Sequence, residues 1–319
     1  MDRPLVSAIV PTRDRPERLR RAISSVEAQT YDPVELVVVD DRSTPPVADA
    51  LGGREPDVDR FELVRLEENR GGAGARNAGI EAASGEILTF LDDDDRWDPA
   101  KLERQIPALL ESPDDVGLVY TGVVQLDAAG GPNAITATAV DGDATKRLLV
   151  RNVVGTISSV AVRREVIDEV GPLDERFPSW QDWEFYVRVS DAFRLRAIEE
   201  PLVVRHNAGE GQLSHDYETK RDATVSLFRR KYAPLAARYG PAFEREFEAH
   251  LEYHLGLTAT RCGAYGAARR HFLRAIRRYP FAPSFYLELA AVAGGRATYV
   301  PLDRLQPHLP LRAAKRALR

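Results

Sequence analysis

The sequence predicts an α/β fold, a mostly parallel sheet flanked by helices, with a small all-α region at the C-terminal side. Three observations carry this. Short apolar runs recur up to about residue 205, and several end in acidic or polar residues, as strands buried on both faces do. Segments with apolar residues at helical spacing alternate with these runs, the order expected of parallel strands joined by crossover helices. From about Glu218 the strand pattern stops, and arginine-rich helical periodicity takes over.

Val6 to Val10 is the first apolar strand, and it runs into Pro11-Thr12-Arg13-Asp14-Arg15. A helix follows from about Pro16, with Leu19, Ala22, Ile23 and Val26 on one face and Asp14 with Glu17 resembling a capping box. Val34 to Val39 is a second buried strand, ending in Asp40-Asp41-Arg42-Ser43. A third, Phe61 to Leu66, alternates as an edge strand would and leads into the glycine-rich helix entry Asn69 to Gly79. The glycine spacing approaches a dinucleotide fingerprint, but Asn77 stands at the third glycine's place and the unit is not the first βα turn. What remains is a helix amino end near Arg76, a place that suits an anion.

The most informative stretch is Glu86 to Leu91 followed at once by Asp92-Asp93-Asp94-Asp95. The carboxylates fall at the carboxyl end of a buried strand, where open α/β sheets keep their ligands. Two like charges ~4 Å apart repel by about 4 kcal/mol at an effective dielectric near ~20. Such a cluster needs protonation, basic neighbours or a cation, and a divalent metal on hard oxygens meets the need. Two plainer readings compete. One is an acidic turn that caps the next helix, yet Asp98 with Pro99 already supplies a cap. The other is a calcium loop with Asp92, Asp94 and Glu103 in place, but Trp97 occupies the position that must be glycine. Further on, the pattern predicts a helix from Pro99 to about Leu110, a strand Val116 to Tyr120, a strand Thr156 to Val162 and a short helix closed by Gly171. Residues 122 to 143 take no assignment. From Trp180 to Arg188 a helix places Trp183, Tyr186, Val187 and Ser190 on one face and leaves Asp182 in the first turn on another side.

With these residues in view, the chain resembles the family 2 glycosyltransferases, inverting enzymes of the GT-A (nucleotide-diphospho-sugar transferase, Rossmann-like) fold. The resemblance covers roughly residues 5 to 215. It rests on Val10-Pro11-Thr12, Val39 to Ser43, Phe90 to Trp97, and Gly171-Pro172-Leu173-Asp174-Glu175 leading to Gln181-Asp182-Trp183. By position it implies that Pro11, Thr12, Arg13 and Asp41 hold the base and ribose of a nucleotide-diphospho-sugar donor, that Asp92, Asp93 and Asp94 form the motif that binds ribose and metal, and that Arg76 lies near the nucleotide. Tyr is frequent in the family where Arg13 stands. Asp94 is the implied ligand of a Mn2+ or Mg2+ ion, and Asp182 the implied general base. Gln181 departs from the family's glutamate, which affects a contact to the acceptor hydroxyl. Arg205, His206 and Ser214 match the family's basic and histidine motif, which faces the diphosphate; His206 is a second candidate metal ligand, or an ordinary surface histidine. The helix dipole is expected to favour the charged form of Asp182.

Charge divides the chain. Residues 220 to 319 hold 19 Lys or Arg against 7 Asp or Glu, a balance of +12, and residues 1 to 219 carry −17. An acidic catalytic half argues against nucleic acid as substrate. The basic part, read as residues 218 to 319 beside a catalytic domain 1 to 217, resembles one and a half tetratricopeptide units between Gly263 and Ala290. It is expected to stabilise the enzyme or to meet an anionic membrane or partner protein, with Leu311 to Arg319 as a short basic helix. The one cysteine, Cys262, excludes an internal disulfide framework. No stretch is apolar enough to span a bilayer, and Met1-Asp2-Arg3-Pro4 lacks a leader pattern, so the expectation is a cytoplasmic protein, peripheral at most at the inner membrane face. The implied acceptor is a glycan or polyprenyl-linked hydroxyl. Two rivals remain. A sugar nucleotidyltransferase needs a glycine-rich first loop, and Pro11 to Arg15 has no glycine. An inactive scaffold of the same fold has no need of both Asp94 and Asp182.

Overall fold

In the computed structural model, which describes residues 3–126, 131–136, 140–206 and 216–299, the apolar runs form the expected strands. β1 (Val6–Thr12), β2 (Val34–Asp40) and β4 (Ile87–Phe90) bury the residues of both faces, whereas β3 (Arg60–Arg65) alternates exposed and half-buried positions as an edge strand does. The remaining strands are β5 (Asp95–Trp97), β6 (Val116–Leu126), β7 (Pro132–Thr136), β8 (Val160–Arg163) and β9 (Arg194–His206). Their order is β3-β2-β1-β4-β8-β6-β9-β5, with β7 on β6. β3, β2, β1 and β4 pair in parallel, so the ends of β1, β2 and β4 share one edge of the sheet. Beyond β4 the sheet is mixed: β8 runs antiparallel to both β4 and β6, β6 and β9 are parallel, and β5 pairs antiparallel with β9.

Several elements differ from the sequence reading, each for a local reason. Thr156 to Val162 is not one strand: the Thr156 side chain accepts from Ser158 N–H and starts a 3-10 turn, Ile157–Ser159, before β8 begins. The unassigned stretch after residue 122 contains the end of β6 and all of β7. Asp14 forms no capping box; at φ 55° it turns back and accepts from Thr44 N–H at 2.7 Å, so Arg15 becomes the N-cap of α1 (Pro16–Glu27). Leu19, Ala22, Ile23 and Val26 of α1 are buried as their spacing predicts. After α2 (Val47–Leu51), α3 (Gly71–Ala82) lies close on β1 and β2. A side chain at Gly79 would put Cβ 2.4 Å from Ile9 Cγ2, so glycine permits that approach. α4 (Lys101–Leu110) starts two residues later than expected, since Asp98 Oδ1 holds Ala100 N–H in a turn ahead of it. α5 (Thr145–Val150) and α6 (Arg164–Val170) precede α7 (Gln181–Ala192), whose Trp183, Tyr186, Val187 and Ser190 are buried as the periodicity requires.

The chain divides into two units. The first takes in the residues up to Leu148, Asn152–Glu175 and Gln181–Gly209; the second takes in Leu149–Arg151, Arg176–Trp180 and the chain from Glu210. The second unit thus consists of one long segment and two short segments from earlier in the chain. It holds α8 (Tyr217–Thr219), a π-helical run Lys220–Val225, α9 (Ser226–Ala237), α10 (Pro241–Arg261), α11 (Tyr265–Arg278) and α12 (Pro283–Ala291). α11 buries Ala268, His271, Phe272 and Ala275, one face at helical spacing. Gly256 of α10 makes room for the Phe272 ring, which a Cβ there would approach to 2.5 Å. Tyr217 Oη lies 2.7 Å from His271 Nε2, and His271 Nδ1 lies 2.7 Å from Glu252 Oε2. Leu311 to Arg319, the expected basic helix, lies outside the described residues, as does Ser214.

Candidate active site

The acidic run is split by the strand that starts within it. Asp95 N–H donates to Asp92 O at 2.9 Å, closing a turn, and Asp95 opens β5 opposite Arg205 of β9. Carboxylate oxygens of Asp92, Asp94 and Asp95 then come within 4.8 Å of one another. Asp93 serves elsewhere: it accepts from Thr12 Oγ1 at 2.7 Å and from Arg15 at 3.2 Å, tying the β4 loop to the end of β1. Ser158, in the 3-10 turn, joins both ends of the cluster. Its hydroxyl accepts from Asp92 N–H at 3.1 Å and donates to Asp95 Oδ2 at 2.7 Å.

Cations surround these acids. Arg76 pairs with Asp92 and donates to Gly72 O at 3.0 Å, and Arg18 stands 3.7 Å from Asp94. Burial pushes Asp95 well above the ordinary carboxylate range, and the charge of Asp92 adds to it. Asp94 is raised as well, by burial and then by Asp92. Asp93 is raised by burial although Thr12 and Arg15 oppose the shift. Asp92, Asp94 and Asp95 together form a hard-oxygen donor set of the kind that suits Mg2+ or Mn2+. Asp95 Oδ1 is buried without a hydrogen-bond partner among the described residues, so one ligand atom is uncommitted. The residues present therefore fit a divalent ion.

Asp182, the second residue of α7, accepts from Trp183 N–H at 2.8 Å. Its pKa is raised by burial, which outweighs both that hydrogen bond and the opposing charge of Arg76. This reverses the expectation from the helix dipole: dense surroundings remove more solvation than the first turn returns. Glu184 is fully buried and held bidentate by Arg188 at 2.8 and 3.0 Å, which leaves it no freedom to act as a base. One turn beyond Asp182, the buried Tyr186 hydroxyl has no hydrogen-bond partner among the described residues, and neither has Arg76 Nε.

The other expected residues divide. Thr12, Asp92, Asp93, Asp94 and Arg76 meet at the ends of β1 and β4, and Pro11 precedes Thr12 in β1. Arg13 does not join them; it remains exposed beside Asp14 at 3.5 Å, and Arg15 takes the place at the acids. Asp41 caps α3, its two oxygens accepting from Arg70 N–H at 2.7 Å and Gly71 N–H at 3.0 Å. The anion at that helix end is thus supplied by the chain itself. His206 closes β9, and its side chain lies outside the described residues. Asp95, Ser158, Arg15 and Arg18 were not singled out by sequence reasoning. The fourth aspartate of the run was the one available signal.

The sequence profile described as glycosyl transferase family 2 matches residues 7–171. The chain belongs to this family. It is a glycosyltransferase, and relatives agree in kind. An uncharacterised glycosyltransferase of Nostoc sp. is 28% identical over 265 residues, spanning 78% of this chain and 80% of the relative. The Escherichia coli UDP-Glc:alpha-D-GlcNAc-diphosphoundecaprenol beta-1,3-glucosyltransferase WfgD is 40% identical over 112 residues, 35% of this chain and 44% of WfgD. Among solved structures, Staphylococcus aureus TarS 1-349 with UDP-GlcNAc aligns at a TM-score of 0.62 and 16% identity, covering 94% of this chain and 91% of TarS. Mannosyltransferase PcManGT of Pyrobaculum calidifontis, in complex with GDP-Man and Mn2+, aligns at 0.56 and 20% identity, covering 94% and 87%. These two establish the GT-A fold of the family 2 chain.

Proposed function

We propose that this family 2 enzyme is an inverting, divalent-metal-dependent transferase that moves a sugar from a nucleotide-diphospho-sugar to a hydroxyl of a lipid-linked or glycan acceptor in cell-surface glycan assembly. The observation that carries the reading is the convergence of Asp92, Asp94 and Asp95 at the end of β4, with Asp95 Oδ1 unpartnered. These three residues would hold the ion, which supplies positive charge to the leaving diphosphate. The chain adds its own cation in Arg76, anchored by Asp92. Thr12, Asp93 and Arg15 knit the ends of β1 and β4 into one rigid support for the nucleotide. In a single displacement the acceptor oxygen forms its bond to the anomeric carbon as the bond to the diphosphate oxygen breaks, and the hydroxyl proton passes to Asp182. A carboxylate whose pKa is raised by burial is better matched to accept that proton near neutral pH than an exposed one.

Support for the donor and acceptor classes comes from relatives. TarS and PcManGT are described with UDP-GlcNAc and with GDP-Man and Mn2+, and the name of WfgD specifies a diphosphoundecaprenol acceptor. Calorimetric titration of a panel of nucleotide-sugars, with Mn2+ and then with chelator, tests the reading. One donor is expected to bind only with metal, and Asp94→Ala to lose that metal-supported binding together with turnover. Chelator-insensitive turnover by Asp94→Ala would remove the metal from the mechanism.

A further inference from the structure

We propose that the outward face of α11, continued by Phe281 and Tyr286, is a docking surface for an anionic lipid bilayer. From Tyr253 to Leu287 the sequence carries six arginines and no aspartate or glutamate. The fold sorts these arginines. Arg278 turns inward to Glu252 at 2.8 Å, and Arg269 caps Val292 O at 3.1 Å. Arg270, Arg274 and Arg277 are exposed together with Leu273, at spacings of three, four and seven residues that make one helix face. Arg274 reaches Glu252 only at 3.8 Å, and Arg270 and Arg277 have no ion pair among the described residues.

Apolar side chains lie in the same stretch of chain. Phe281 is 78% exposed, and Leu273 and Tyr286 are each 44% exposed. The Tyr279 ring stands 5.6 Å from that of Phe281, and Tyr286 Oη donates to Pro280 O at 3.0 Å, so α12 holds its tyrosine against the same turn. A soluble polyanion would satisfy the guanidinium groups and leave Phe281 and Leu273 in water. Leu273 also offers no flat face for stacking on a nucleobase. An anionic leaflet takes both, with phosphates for the arginines and the headgroup boundary for the rings and the leucine. A lipid-linked acceptor, as read above, would give such a surface its use; binding to acceptor-free vesicles is independent of that reading, so the two fail separately.

The test is co-sedimentation of the full chain with vesicles of phosphatidylcholine mixed with phosphatidylglycerol, against phosphatidylcholine alone, at low and high salt. Salt-sensitive binding to the anionic vesicles is expected. The double variant Arg270→Gln, Arg277→Gln should need about 30-fold more lipid for half binding, at about 1 kcal/mol per arginine. Phe281→Ser should weaken binding about tenfold with far less salt dependence in the loss. Arg270, Arg277 and Phe281 are all exposed, so melting curves and turnover on a water-soluble acceptor should match those of the unaltered chain. Absence of vesicle binding, equal binding by the double variant, or loss only on neutralising Lys315, Arg316 and Arg319 would overturn the assignment. So would tighter, vesicle-independent capture by an oligonucleotide or an acidic peptide.

Discussion

Asp182 and Tyr186 stand one turn apart on α7 and divide the chemistry of the site from its stability. Asp182→Asn keeps the shape and the hydrogen bond to Trp183 but removes the carboxylate proposed above to accept the proton. Transfer is expected to fall by about 10² or more while donor affinity stays within a few-fold, measured by single-turnover transfer beside calorimetry. Glu184 cannot substitute, because Arg188 holds both of its oxygens. Tyr186→Phe is expected to act in the other direction on stability. Its hydroxyl is buried and unpartnered, and an unsatisfied buried polar group costs about 1–3 kcal/mol, so the variant should unfold at higher urea. A lower midpoint would mean that the hydroxyl is paired in solution. Neither effect is legible from the spacing that places both residues on one helix, because spacing locates a side chain without telling what surrounds its polar end.

At the scale of elements, Asn77 shows how a local reading can identify a residue and miss its work. It stands where a dinucleotide motif has glycine. In the folded chain its Oδ1 accepts from Leu173 N–H, and its Nδ2 donates to Leu173 O and to Glu175 Oε1, each at 2.9 Å. α3 thereby fixes the loop that leads towards α7, across a separation of 96 residues. Asn77→Ala would strand both backbone groups of Leu173 and is expected to cost about 2–4 kcal/mol in urea unfolding, with a larger loss in transfer than in donor binding. The same limit explains Thr156 to Ser159. Their β-branched and small residues read as a strand, yet the turn they form places Ser158 between Asp92 and Asp95. Long strands such as β1 and β2 were legible because burial on both faces leaves an unbroken apolar run, whereas β5, three residues long, exists through its pairing with β9.

For the whole molecule, two histidines in the helical unit give stability a dependence on pH. Burial depresses His254 to about 3 and His250 to about 4, against an ordinary value near 6.5. A histidine depressed on folding contributes stability above its unfolded pKa and loses it as pH falls, because only the unfolded chain takes up the proton. Between pH ~7 and ~5 the contribution of these two should fall by about 4 kcal/mol, measured as the difference between the pH profiles of unfolding free energy of the full chain and of the double variant His250→Gln, His254→Gln. Glu252, held at about 2 by His271 and Arg278 against the effect of burial, adds its loss only below about 4.5. By itself the sequence determined the alternation of strands and helices, the sheet edge on which carboxylates gather, the family, and the helical basic region, since each rests on periodicity or on a contiguous motif. Only the tertiary structure decided that Asp93 turns to Thr12 and Arg15 while Asp95 joins Asp92 and Asp94. That choice is made by the pairing of β5 with β9 and by a serine 63 residues beyond Asp95, and hydrogen bonds over such separations leave no trace in local spacing.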